Sequence, residues 1–121
     1  MTEAERRAVA IVDDDYAVRD SLRFLLEVIG YAVETFASAA DFLQANVRHF
    51  ACLILDHHMP NITGLELAER LRADGAVIPI LLITGSPSPT ITGRATELGI
   101  GVLDKPPSEK VLIDFIDATR R

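Results

Sequence analysis

Five short apolar runs, each followed by a stretch with helical spacing, constrain the fold of this chain more than any other feature. The runs lie at residues 8–12, 31–36, 52–55, 80–83 and 101–103. Each is far shorter than the roughly 20 apolar residues needed to span a bilayer, so no membrane segment is expected. After the first run, Val18, Leu22, Leu25, Leu26 and Ile29 fall on one helical face, and Gly30 follows as a stop. Ser38 opens a short helix through Phe42 and Leu43, with Asp41 in its first turn. Leu65, Ala68 and Leu71 define a third helix closing near Gly75, and Pro79 introduces the fourth run. Ser108 caps a last helix whose apolar face is Val111, Leu112, Phe115 and Ile116. The segment 85–99 is the least regular. Pro87, Pro89 and Gly93 interrupt it, and Thr90, Thr92 and Thr96 are modest helix formers, yet Ile91, Ala95 and Leu98 keep helical spacing. A short, weak helix is expected there. Strands alternating with helices imply an α/β fold with a parallel sheet covered on both faces.

A chain of 121 residues with 49% hydrophobic content is expected to form one domain, residues 1–121, with a flexible charged start at 1–7. The formal net charge is −6 and no basic stripe offsets it, so direct binding of nucleic acid by this segment is not expected. The single cysteine, Cys52, lies inside an apolar run and reads as a buried, inert thiol. A chain that can form no internal disulfide suits a reducing compartment, the cytoplasm.

The ends of the runs carry the chemistry. The first closes on Asp13, Asp14 and Asp15, the third on Asp56, and the fourth on Thr84; the fifth passes through Asp104 into Lys105 and Pro106. In an open parallel sheet, ligands bind beyond the carboxyl ends of the strands, so neighbouring runs would bring these groups together. Asp15 is placed to cap the first helix. Asp13, Asp14 and Asp56 remain, and two such charges about 4 Å apart repel by roughly 4 kcal/mol at an effective dielectric near 20. Lys105 neutralises only one of them. The excess calls for a divalent cation or for protonation of a carboxylate, and an all-oxygen site suits Mg²⁺. A carboxylate nucleophile, a metal, a lysine and a hydroxyl are the parts needed for phosphoryl transfer.

These residues resemble a known family over essentially the whole chain. Residues 11–15, the stretch Leu55-Asp56-His57-His58-Met59-Pro60 with Gly64 following, Ile83-Thr84-Gly85 and Asp104-Lys105-Pro106 are similar to the receiver domains of two-component response regulators. Residues 18–43 and the Thr84-Gly85 pair look most like receivers of the FixJ kind. The resemblance implies a flavodoxin-like sheet of five strands in the order 2-1-3-4-5. It implies that Asp56 takes a phosphoryl group from the phosphohistidine of a sensor kinase. Asp14 would ligate Mg²⁺ directly, Asp13 mainly through a metal-bound water, and the His58 backbone carbonyl would complete the protein's share. Thr84 and Lys105 would engage the phosphoryl oxygens, and a cis peptide between Lys105 and Pro106 would aim the amine at Asp56. Such a domain is not an enzyme acting on outside substrates; it assists its own phosphorylation and dephosphorylation. Its partners would be a sensor histidine kinase and an output domain or partner protein. In receivers of this kind the output is usually a DNA-binding domain in a longer chain, and a homodimer is left open.

Several readings stay beside this one. Adjacent residues in an extended segment point to opposite sides, so His57 and His58 read as solvent-exposed loop residues rather than a transition-metal pair. Pro60 and Gly64 read as turn residues that set up the third helix. Val102 stands where many receivers carry Tyr or Phe, and Pro107 where an aromatic is frequent, so the signal is expected to leave through residues 84–99. A module of the same fold that binds protein without cycling phosphate remains an alternative. So does a metal-dependent phosphatase, although the chain has little spare length for a substrate pocket. A flavodoxin-like cofactor binder fits less well, because three carboxylates would repel a phosphate.

Overall fold

The computed structural model describes residues 7–119, so the expectation of a flexible start falls, apart from Arg7, outside the described residues. The apolar runs become strands because neighbouring elements cover them. All seven residues of β3 (Phe50–Asp56) and all five of β4 (Ile80–Thr84) are buried. They sit inside a parallel sheet with β1 (Ala8–Val12), β2 (Val33–Phe36) and β5 (Gly101–Asp104), in the order β2-β1-β3-β4-β5. The helices that follow the successive strands are α1 (Tyr16–Ile29), α2 (Ala39–Leu43), α3 (Gly64–Ala73), α4 (Pro89–Leu98) and α5 (Glu109–Ala118).

Side chains alternate across each strand and build a core on either face. On one face Val12, Leu53, Leu55 and Leu82 pack with Phe42, Leu67 and Ala95 from the helices. Phe36 meets Phe42 and Phe50 edge to face, with ring centroids 5.2 and 5.7 Å apart. On the other, Val9, Ile11, Ile54 and Ile83 pack with Leu26 of α1 and with Leu112 and Ile116 of α5. Each fully buried aliphatic of this size contributes about 1.5–3 kcal/mol relative to exposure.

Three elements depart from the sequence expectation. The second strand starts at Val33 because the preceding residues close α1: Gly30 adopts φ 116°, and the Tyr31 amide donates to the Leu26 carbonyl at 3.0 Å. The helix expected to be short and weak runs ten residues. Ser88 caps its first turn by accepting from the Ile91 amide, and Pro89 occupies the opening position, where its missing N–H costs nothing. Gly99, at φ 68°, ends it. On α1, Leu26 is fully buried, but Val18 and Ile29 are 37% and 44% exposed. Val18 borders a groove of about 790 Å³ between α1 and α5 that reaches Asp13, Asp56 and Lys105.

Candidate functional site

Strand register brings the polar groups to one end of the sheet. Val12 is level with Leu55, which places Asp13 beside Asp56. Asp56 pairs with Ile83, so Thr84 lies one step beyond it. Thr84 pairs with Asp104, and the Lys105 amide donates to the Thr84 carbonyl at 3.0 Å. The Lys105-Pro106 peptide is cis, as the resemblance implied.

The acidic turn after β1 is held by its own hydrogen bonds. Asp13 Oδ1 accepts from the Asp15 amide at 2.9 Å, and Asp15 caps α1 through the Ala17 and Val18 amides. The Arg19 guanidinium donates to the Asp13 carbonyl at 2.7 Å, a brace the sequence reading missed. Asp13 is buried, and that burial pushes its carboxyl above the ordinary carboxylate range. The Asp15 amide pulls the other way, and the charge of Asp56 raises it further. Asp14 is exposed. Carboxylate oxygens of Asp13, Asp14 and Asp56 lie within 4.8 Å of one another.

Asp56 is 4% exposed, and its Oδ1 stands 2.5 Å from the Lys105 ammonium. Lys105 is the partner given to that buried oxygen among the described residues. Three carboxylates offering hard oxygen donors, with one of them open to water and a single lysine beside them, fit a hydrated Mg²⁺ ion.

The segment after Asp56 differs from expectation. The chain bends at His57 instead of continuing extended, and the two histidine rings meet edge to face with centroids 5.2 Å apart. Each ring has its own partner. His57 Nδ1 accepts from the Leu65 amide at 3.3 Å, and His58 Nε2 lies 3.0 Å from Thr84 Oγ1. Burial, then the neighbouring His58, pushes the half-buried His57 below the usual histidine range. Thr84 is fully buried, and its hydroxyl also accepts from the Ser86 amide at 3.1 Å. Gly64 is more than a turn residue: a Cβ there would lie 2.3 Å from the Asp56 carbonyl oxygen and 2.8 Å from Leu82. Its bare backbone lets α3 start directly against β3. Neither the histidine geometry nor the Gly64 contact has a local sequence signal, because each depends on an element distant in sequence.

Comparison with known proteins agrees with this geometry. The family model for the response regulator receiver domain matches residues 9–117. The transcriptional regulatory protein FixJ of Azorhizobium caulinodans is 40% identical over 117 residues, covering 95% of this chain and 56% of that protein. The chain thus spans little more than half the length of the curated relatives it first matches. Among solved structures, FixJ-N superposes with a TM-score of 0.83 at 34% identity, covering 94% of this chain and 93% of its own. The response regulator StyR gives 0.85 at 40% identity, covering 94% of this chain and 59% of its own.

Proposed function

Because the chain belongs to the response regulator receiver domain family, we propose that Asp56 is its phosphoacceptor, supplied by the phosphohistidine of a sensor kinase. One observation carries this reading: the Asp56 carboxylate is buried at the end of β3 with the Lys105 ammonium against its Oδ1 and the carboxylates of Asp13 and Asp14 within 4.8 Å. Held ionised by the lysine, the carboxylate is a nucleophile for attack on phosphorus. In the transfer, an Oδ–P bond forms while the N–P bond breaks, and its electron pair returns to the kinase's imidazole. Lys105 neutralises one phosphoryl oxygen, and the Thr84 hydroxyl donates to another. Asp13, Asp14, Asp56 and the His58 carbonyl would hold Mg²⁺. When bound, the ion supplies positive charge that offsets the crowded carboxylates and the incoming phosphoryl oxygens.

The reading makes the chain a single signalling domain that assists its own modification rather than an enzyme for outside substrates. A phosphohistidine donor made from ATP favours a cytoplasmic location for this reading. No described helix is long and apolar enough to cross a membrane. The relative's name, a transcriptional regulatory protein, favours a DNA-binding output. Acetyl phosphate with Mg²⁺ should add one acid-labile phosphoryl group, and Asp56→Asn should abolish it. Label persisting undiminished in that variant would sink the assignment.

A further inference from the structure

The Thr84 hydroxyl has one proton to give and two lone pairs to fill. One lone pair takes the Ser86 amide, and the remaining partner is His58 Nε2 at 3.0 Å. No hydrogen bond joins Thr84 to Asp56 among the described residues, although the two side chains end neighbouring strands. The His58 residue is exposed, so burial does not fix its ring. What braces it is the edge contact with His57, itself tied to the first turn of α3 through the Leu65 amide. A continuous set of contacts therefore runs from α3 through His57 and His58 to Thr84, and on to Ser86 ahead of α4.

We infer that the His58 imidazole is a positioning residue that holds the Thr84 hydroxyl and competes for it with phosphoryl oxygens arriving on Asp56. The inference rests on Asp56 being the phosphoacceptor. When Nε2 accepts, the Thr84 proton is committed to His58 and must be withdrawn before it can reach a phosphoryl oxygen. When Nε2–H donates, both lone pairs of the hydroxyl are filled and its proton stays free, so the competition belongs to the accepting tautomer. In the accepting tautomer the phosphorylated arrangement gives up one hydrogen bond that the resting one keeps. His58 thereby sets how readily the domain switches, through its side chain and independently of its backbone carbonyl.

Beryllofluoride, a tetrahedral mimic of a phosphoryl group on a carboxylate oxygen, tests this without a kinase. With Mg²⁺ present, His58→Ala should bind it about five-fold more tightly than the unaltered protein, the equivalent of one ordinary hydrogen bond. The gain should vanish when the same change is made in a Thr84→Ala background, and His58→Gln, whose amide can restore the bond, should return affinity toward the starting value. A merely structural histidine would change stability but not this coupling. Affinity that is unchanged or weaker in His58→Ala, or a gain equal in both backgrounds, overturns the inference alone. If the unaltered protein binds no beryllofluoride, the phosphoacceptor reading falls and takes the inference with it.

Discussion

The site concentrates negative charge where desolvation penalises it most, and single residues show the cost. Burial raises the Asp13 carboxyl, so the folded, metal-free protein holds that proton more tightly than the unfolded chain does. The penalty is absent below the unfolded carboxyl range and grows as pH rises through the higher folded value. Asp13→Asn should therefore raise the thermal midpoint of the metal-free protein at neutral pH, by a margin that shrinks towards acid. Thermal scans across pH would show it, and equal midpoints at neutrality would contradict it. Glycines give a paired test. Gly64→Ala forces a Cβ against the Asp56 carbonyl oxygen and should destabilise by about 1–3 kcal/mol, the usual cost of overpacking. Gly93 lies inside α4 with open space around it, and Gly93→Ala should stabilise by about 0.5–1 kcal/mol. Urea titrations giving both variants the same sign would refute this reading of the backbone.

At the scale of elements, α4 is tied down unevenly. Its C-terminal end is stapled by Arg72 of α3, whose Nε donates to the Leu98 carbonyl at 2.9 Å while Nη1 reaches the Ala76 and Ile78 carbonyls. Arg94, midway along, pairs with Glu69 of α3 at 2.9 Å. Its N-terminal end hangs on Ser88 and on the loop that Thr84 anchors through Ser86. Val102, half-buried in β5, is stiff at χ1 and cannot carry a rotamer swing. A change at Thr84 should therefore move the β4–α4 loop and the first turn of α4. Amide exchange in residues 85–92 should slow most when Asp56 carries beryllofluoride, with residues 95–99 little changed. A response confined to another face would rule out this route. The same helix shows why sequence reading understated it. Ser88-Pro89 breaks a helix if read as interior and starts one if read as its boundary, and only the position of the preceding strand decides between them.

Across the whole molecule, the active end was legible because topology converts strand order into proximity. Once β1, β3, β4 and β5 are parallel neighbours, Asp13, Asp14, Asp56, Thr84 and Lys105 come to one end of the sheet, since each ends a strand or lies within two residues of its end. What stayed hidden depends on contacts between distant segments. The bend at His57, the His58–Thr84 bond and the steric demand at Gly64 arise where the β3–α3 loop closes over its neighbours. The exposure of Val18 goes with the groove that α1 leaves against α5, which no periodicity records. Both levels converge on one carboxylate as the centre of the domain. An aspartyl phosphate, unlike a free carboxylate, is reduced by borohydride to homoserine, so the modified residue can be read by peptide mass spectrometry after treatment with acetyl phosphate and Mg²⁺. Homoserine at position 56 and nowhere else is the expected result; homoserine at Asp13, Asp14 or another acid, or at no position, would contradict the account.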